Sequence, residues 1–294
     1  MKVSIIIPTY YRSNDLSELF ISLLKQTVKP IEVIVVDDTP TSVIKHVCED
    51  YEDRFNEVKV RVVYVKNPRE RSTAIASNLG AKIAKGDIIL FLDSDLVLYP
   101  EYIEKILEVF KEHPDALGVQ GWTVFPPFPR KGIRYHSVQT LQKLFFLPGH
   151  LARDGCEYPS YPINLTKVIS CNWLNGLGMA IKCSVLNEFK FDENLREYGY
   201  MEDVLFSYSI YKNYPQKLFI TPYAKCIHKV SKEGRMESSK LTYHKNQCRK
   251  YVLKRLFGLK GLLIYGWQNL GILILRFVYT CKTKTKTTLQ NQNI

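Results

Sequence analysis

The sequence predicts an α/β protein with a mainly parallel sheet flanked by helices. From residue 3 to about 121, short β-branched runs alternate with amphipathic helical stretches. Each run ends at Pro, Asp, Asn or Gly, the residues that end strands. Hydrophobic residues make up 46% of the 294 residues, which is enough for a sizeable core.

Five apolar runs in this region are predicted to be strands, with helices between them. The strands are Val3 to Ile7, Ile31 to Val36, Val60 to Val65, Ile88 to Leu92 and Leu117 to Gln120. Ser13 is a start signal for the first helix, whose apolar residues repeat at spacings of three and four. The third helix is predicted from Thr73 to Lys85, and the fourth begins after Pro100.

The next part of the chain is predicted to be less regular. Between Trp122 and Ser170, Pro and aromatic residues with weak periodicity predict an inserted loop region with one helix. Regular structure is predicted again over Leu174 to Ile181, in a helix from Glu202 to Asn213, and in two strands, Lys217 to Ile220 and Ala224 to Ile227. We therefore expect three segments, 1–121, 122–235 and 236–294.

The stretch from Tyr243 to Thr280 is apolar with scattered basic residues. The charge-free run in this stretch covers residues 261 to 275. It is shorter than the ~20 residues that a membrane-spanning helix needs. Gln268, Asn269 and Arg276 share one face of a helical wheel. We expect a helix that lies in a membrane interface, and a helix packed on the protein itself is the alternative.

The composition of the chain indicates which classes of binding partner to expect. A net charge of +12 favours a phosphorylated substrate or an acidic membrane surface. The basic residues are spread along the chain and no nucleic-acid module is recognised, so nucleic acid is not expected as a partner.

The cysteines are odd in number and form no CxxC pair, so neither a disulfide framework nor a zinc site is predicted. The apolar stretch before Pro8 is too short for a signal peptide, so we expect a cytoplasmic setting, in which Asn164 to Thr166 is a chance glycosylation match.

Polar residues follow three of the predicted strands. Pro8 to Arg12 follow the first, Asp37 and Asp38 the second, and Asp93-Ser94-Asp95 the fourth. Ligands of parallel sheets bind at the carboxyl ends of strands, so these residues should share one edge. Two carboxylates one residue apart can reach a single Mg²⁺ or Mn²⁺, which completes its shell with phosphate oxygens. A nucleoside diphosphate is the expected ligand.

Four segments together resemble the nucleotide-sugar half of glycosyltransferase family 2, which has the GT-A fold. They are Val3 to Tyr10, Ile34 to Asp38, Ser77 to Gly80 with Ala84 to Asp87, and Phe91 to Asp95. The resemblance covers the first 121 residues, and the order and spacing of the segments are more selective than any one of them. It implies that 1–121 binds the nucleotide sugar and that 122–235 forms an acceptor-binding half with a mixed sheet. We expect 236–294 to form C-terminal helices, associated with a membrane through the apolar stretch described above.

The resemblance also implies roles for residues on the donor side. Asp38 would accept a hydrogen bond from the base of the nucleotide, while Asp37 caps the following turn. The remaining implied nucleotide-binding residues are Pro8, Thr9, Tyr10, Arg12, Arg71, Asn78 and Ser94. Asn78 would tie the third helix to the metal-binding loop. For Arg12 and Arg71, a solvated surface cation is the alternative.

Asp93 and Asp95 would hold the metal, with His228 as a third candidate ligand. A structural role is the alternative for this histidine. The loop from Lys229 to Arg235 is expected to close over the diphosphate.

On the acceptor side, Asn175 to Ala180 resembles the family's glycine-containing strand, and Tyr198 to Val204 resembles its Glu-Asp motif. Inverting sugar transfer needs a base for the acceptor hydroxyl, and Asp203, with Glu202 beside it, is the candidate. The alternative is a first-turn helix cap. Tyr243 to Lys254 resembles the helix of members that add a single sugar, and Gln247 to Tyr251 departs from the Gln-x-x-Arg-Trp motif of processive members.

The expected function is transfer of one sugar from a UDP- or dTDP-linked donor to a hydroxyl of a glycan or lipid-linked acceptor. The expected type is rhamnosyltransferase-like or surface-glycan, in polysaccharide biosynthesis at the cytoplasmic face of the membrane. One alternative is a catalytically silent relative that binds sugar or membrane. Another is a nucleotidyltransferase, which would need a glycine-rich loop after the first strand, and Pro8 to Arg12 contains no glycine.

Overall fold

The computed structural model describes residues 1–124, 165–197 and 199–290, with side chains as far as residue 274. Residues 1–124, 165–197 and 199–248 belong to one compact unit, and residues 249–290 belong to a second. The helix that was expected in the inserted loop region lies outside the described residues. The same is true of two residues of the predicted motifs, Asn164 and Tyr198.

The first unit is built on a single sheet with nine described strands. They are β1 (Val3–Thr9), β2 (Glu32–Asp37), β3 (Arg61–Lys66), β4 (Ile88–Phe91), β5 (Leu96–Leu98), β6 (Gly118–Val124), β7 (Ile169–Cys171), β8 (Met179–Lys182) and β9 (Leu218–His228). Their order is β3-β2-β1-β4-β8-β6-β9-β5, and β7 pairs with β9. Strands β3, β2, β1 and β4 are parallel, whereas β8 is antiparallel to β4 and β6. The expected parallel half and mixed half are both present.

The helices lie close to the positions predicted for them. They are α1 (Ser13–Leu24), α2 (Val43–Glu57), α3 (Thr73–Ile83), α4 (Tyr102–Glu112), α5 (Glu202–Asn213), α6 (Ser238–Phe257) and α7 (Leu259–Gln290). Ser13 is already helical and Arg12 precedes it without a side-chain cap. At α3 the start is capped, because the Ser72 hydroxyl accepts a hydrogen bond from the Ile75 amide.

Apolar side chains cover both faces of the parallel strands. Ile5 and Ile7 of β1 belong to a buried cluster with α1, α2 and α4, whereas Ile6 belongs to a cluster with α3. A Cβ atom at Gly80 of α3 would lie 2.5 Å from Ile6 Cγ2, so α3 approaches β1 more closely than an alanine would allow. This packing on both faces explains why the parallel strands appear in the sequence as continuous apolar runs.

The structure corrects the prediction for the end of the sheet. Lys217 to Ile220 and Ala224 to Ile227 were expected as two strands, but β9 is continuous across Pro222. Gln120 of β6 pairs with Ile220, and Trp122 pairs with Lys225, so β9 bulges between them. Proline is tolerated in a bulge because no ladder N–H is needed there. Strands β5 and β7, of three residues each, were not predicted.

In the second unit, the end of α6 and the following α7 form a helical hairpin. Gly258 lies between them with φ 61°, a left-handed conformation that favours glycine. A Cβ atom at Gly261 would lie 1.9 Å from the Leu253 carbonyl oxygen, so the hairpin also needs glycine there. Arg249 donates a hydrogen bond to Asn269 Oδ1.

Two polar residues of the predicted face of α7 have described side chains. Gln268 is only 1% exposed and Asn269 is half-buried, while the side chain of Arg276 lies outside the described residues. Among the helices described, none is long and apolar enough to cross a membrane.

Candidate functional site

A cavity in the first unit opens at the carboxyl ends of β1, β2 and β4. Its wall contains Pro8, Thr9, Tyr10, Arg12, Asp38, Arg71, Thr73, Asp93, Ser94, Gly199, Glu202 and Gly234. Every residue predicted to bind nucleotide is on this wall except Asn78. The parallel strands explain the convergence, because β2, β1 and β4 are neighbours in the sheet and end at one edge.

Asp38 is held in place by two donors at one side of the cavity. Its Oδ1 accepts from Asn67 Nδ2 at 2.6 Å, and its Oδ2 accepts from the Ser72 amide at 3.1 Å. Burial raises the pKa of Asp38, although these hydrogen bonds act in the opposite direction. The neighbouring Asp37 is buried and accepts from the Thr39 amide at 2.7 Å, as predicted for a turn cap.

Arg71 and Arg12 bind the loop that follows β9. The guanidinium carbon of Arg71 lies 3.6 Å from the centre of the Tyr10 ring, and its Nη2 donates to the Gly234 carbonyl at 2.9 Å. Arg12 Nε donates to the Glu233 carbonyl at 3.1 Å, and Nη1 lies 3.0 Å from Asp95 Oδ1. Neither arginine is a solvated surface cation.

Asp93, Asp95 and His228 form a group that could hold a metal ion. One ligand atom from each lies within 4.8 Å of the other two. The pairing of Leu96 in β5 with His228 in β9 brings the histidine beside the two carboxylates. Its Nε2 lies 3.3 Å from Asp95 Oδ2, which also accepts from the Ser231 amide at 3.0 Å.

The two carboxyl groups of this group have opposite pKa shifts. Burial and repulsion from Asp95 raise the pKa of Asp93. Burial would also raise the pKa of Asp95, but the hydrogen bond with His228 and the charge of Arg12 lower it well below its usual range. Two carboxylates with one imidazole suit a divalent cation such as Mn²⁺ or Mg²⁺.

Glu202 and Asp203 open α5 and face different surroundings. Asp203 Oδ2 accepts from the Gly176 amide at 2.7 Å, and Oδ1 accepts from the Val204 amide at 2.8 Å. Burial raises the pKa of Asp203 against these hydrogen bonds. Glu202 instead lines the cavity, and burial with repulsion from Asp203 raises its pKa to about 8.

Two buried polar atoms of the cavity wall, Thr9 Oγ1 and Glu202 Oε2, have no hydrogen-bond partner among the described residues. Most buried polar atoms in proteins are hydrogen-bonded, so unpaired ones at a cavity suit a ligand with polar atoms of its own. The site is therefore suited to a polar, anionic ligand together with a cation.

Asn78 is the exception among the predicted site residues. Its Nδ2 donates to the Phe191 carbonyl at 2.9 Å, and its Oδ1 accepts from the Phe191 amide at 3.0 Å. The tie to the metal-binding loop was therefore wrong, because Asn78 fixes α3 to the segment after β8 instead.

Three residues of the wall, Thr73, Gly199 and Gly234, were not predicted. Gly234 has φ 70°, and a Cβ atom there would lie 2.4 Å from the Tyr10 carbonyl oxygen. The sequence did contain a signal for Gly234, because this glycine lies inside the basic loop that was expected to close over the diphosphate.

The chain is similar to known proteins in sequence and in structure. One relative, a glucosyl-dolichyl phosphate glucuronosyltransferase of Haloferax volcanii, is 32% identical over 128 residues, which cover 43% of this chain and 39% of that protein. The chain spans well under half the length of the curated relatives first matched.

Solved structures match over more of the chain. TarS 1-349 of S. aureus in complex with UDP-GlcNAc matches with a TM-score of 0.57 and 19% identity, covering 91% of this chain and 71% of that one. The mannosyltransferase PcManGT of Pyrobaculum calidifontis in complex with GDP-Man and Mn²⁺ matches with a TM-score of 0.62 and 15% identity, covering 98% and 80%. These likenesses show the fold alone, which is the GT-A fold expected from the sequence.

The family model for "Glycosyl transferase family 2" matches residues 4–167, more than half of the 294 residues. The match includes Asp38, which follows β2, and Asp93 and Asp95, which lie between β4 and β5. The chain belongs to glycosyltransferase family 2.

Proposed function

We propose that this chain transfers one sugar from a nucleoside-diphosphate sugar to an acceptor hydroxyl, with inversion at the anomeric carbon. The observation that carries the proposal is one cavity with Asp38 on its wall, a metal-competent group at Asp93, Asp95 and His228, and the acidic pair Glu202 and Asp203. The ligands in the two solved structures, UDP-GlcNAc and GDP-Man with Mn²⁺, support it.

In this proposal the donor lies along the carboxyl edge of the parallel strands. Asp38 accepts a hydrogen bond from the base, preferably of a uridine or thymidine nucleotide, and Thr9 and Tyr10 line the base pocket. Arg12 and Arg71 release the loop carbonyls and bind phosphate oxygens, for which guanidinium groups are well shaped. Asn78 takes no part, because its amide is occupied by Phe191.

Asp93, Asp95 and His228 would hold a divalent cation, Mn²⁺ or Mg²⁺. Such a cation would stabilise the negative charge of the departing diphosphate. Asp203 takes the proton of the acceptor hydroxyl while that oxygen bonds to the anomeric carbon, and the bond from that carbon to the diphosphate oxygen breaks. Glu202, on the cavity wall, contacts the donor sugar.

The acceptor in this proposal is a glycan or a lipid-linked sugar of a surface polysaccharide, which approaches from the side of Gly176. A lipid-linked acceptor would be presented at a membrane surface, which agrees with the expected peripheral membrane contact.

The test is release of nucleoside diphosphate by the purified chain from a panel of nucleotide sugars, with Mn²⁺ present. Wild type is compared with Asp95→Ala and Asp203→Ala, and Asp50→Ala, an exposed carboxylate on α2, is the matched control. We expect release by wild type and the control, with a large loss in the other two variants. Equal turnover in all four proteins would refute the mechanism, and donor binding without turnover would indicate a silent relative.

A further inference from the structure

The second unit carries a row of large apolar side chains on the outside of α7. We call Leu259, Leu263, Trp267, Leu270 and Leu273 the outer stripe, and these side chains are 46 to 81% exposed. Their spacings of four and three residues place them on one face of the helix. A continuous apolar surface of this kind marks an interaction site, whereas single exposed leucines are normal.

The opposite face of α7 is buried. Gly261, Gln268 and Gly271 lie on that face, and Gln268 is 1% exposed. A helix that only packs on its own protein hides its leucines and exposes its amides. Since α7 does the reverse, packing within the described structure does not account for its sequence.

The charge of the protein is concentrated in the same region. All twenty-nine acidic residues precede residue 238, whereas eleven of the forty-one basic residues follow it. The basic residues are spread along the chain, but the net charge of +12 belongs almost entirely to the last two helices and the end of the chain, because acidic residues balance the basic ones before residue 238. Lys250, Lys254 and Lys260 of this region are exposed.

We propose that the outer stripe docks onto an anionic lipid bilayer. The leucines and Trp267 enter the boundary between headgroups and acyl chains, and the lysines meet anionic headgroups. Nucleic acid would suit the cations but would leave the apolar stripe exposed to water. The helix lies along the surface, since it is not apolar enough to span it. This proposal does not depend on the proposed sugar transfer.

The test is flotation of the full chain with vesicles of phosphatidylcholine alone or mixed with phosphatidylglycerol. The stripe variant carries Leu263→Gln and Trp267→Gln. Its matched control carries Ile83→Gln and Tyr223→Gln, which are exposed apolar residues of the first unit. We expect wild type and the control to float with the anionic vesicles, and the vesicle-bound fraction of the stripe variant to fall about tenfold.

Several outcomes would overturn the proposal. In the first, wild type fails to float with anionic vesicles at low salt. In the second, the stripe variant floats as well as wild type does. In the third, wild type binds duplex DNA as tightly as it binds vesicles, and the stripe variant keeps that DNA binding. Circular dichroism shows whether each variant is folded. Nucleotide-sugar turnover without vesicles, measured on the same samples, should be unchanged in the stripe variant, so failure of membrane docking and failure of sugar transfer are distinguishable.

Discussion

Glu202 and Asp203 are neighbours in the chain, but their carboxyl groups have different surroundings. Asp203 faces Gly176, so Asp203→Asn should remove the proton acceptor and leave the donor cavity intact. We expect kcat with a hydroxyl acceptor to fall by about 10²- to 10⁴-fold, with little change in the donor KM. Steady-state kinetics over a range of donor concentrations would measure both constants.

Glu202→Gln is the companion change, because Glu202 lines the cavity and its Oε2 has no hydrogen-bond partner among the described residues. If this carboxyl group contacts the donor sugar, the donor KM should rise by about tenfold. kcat should fall less than in Asp203→Asn. A larger loss of kcat in Glu202→Gln than in Asp203→Asn would transfer the role of base to Glu202.

Arg12 occupies one oxygen of a candidate metal ligand. Its Nη1 lies 3.0 Å from Asp95 Oδ1, so the guanidinium competes with a divalent cation for that oxygen. We expect Arg12→Gln to bind Mn²⁺ about two- to fivefold more tightly in the absence of nucleotide. Electron paramagnetic resonance of free Mn²⁺ would measure the affinity, with Arg12→Lys as the charge-preserving control. Weaker Mn²⁺ binding by Arg12→Gln would contradict this competition.

The loop from Lys229 to Arg235 joins the end of β9 to the donor cavity. Lys229 Nζ lies 2.7 Å from Asp15 Oδ1 and 2.8 Å from Glu18 Oε1, both on α1. Together with Arg12 and Arg71, these contacts hold the loop at both ends. The loop is therefore held beside the donor cavity, with Gly234 on the cavity wall.

Gly234→Ala should displace this loop, because Gly234 has a left-handed conformation and lies against the Tyr10 carbonyl. We expect nucleotide-sugar affinity to fall by about three- to tenfold. Isothermal titration with the donor would show it. Gly266→Ala is the matched control, since nothing lies within 4 Å of a Cβ atom there, and equal loss in both variants would exclude the loop as the cause.

The sequence predicts the longer strands well and the pairing of distant residues poorly. β1 and β2 are found because they are continuous apolar runs, and α5 because its pattern is helical. β5 has three residues, too few for a periodic signal. The Arg71 contact with Gly234 joins residues 163 apart in the chain, and no local pattern encodes it.

The stability of the first unit should depend on pH through Glu32. Burial alone would raise the pKa of this carboxyl group, but the Ser4 hydroxyl, Arg61 and the Lys85 amide outweigh it and lower the pKa. Because the folded pKa is the lower one, Glu32 stabilises the fold above the unfolded pKa. That contribution is lost as the pH falls through the folded pKa.

Denaturant unfolding of wild type and Glu32→Gln should therefore differ most near neutral pH and converge in acid. Glu57→Gln, at the end of α2 and exposed, is the control whose difference from wild type should not follow this course. A difference between wild type and Glu32→Gln that persists at low pH would contradict the assignment.

The strand order of the sheet has a consequence for how the protein folds. The four parallel strands come from the first 91 residues, so contacts between them close short loops. Asp93 and Asp95 meet His228 only after β9 has crossed the sheet and paired with β5, which closes a much longer loop. Long-range pairing of this kind is slow. During synthesis or refolding, the nucleotide-binding strands can therefore assemble first, and the capacity to bind a cation through all three ligands should appear as a late kinetic event.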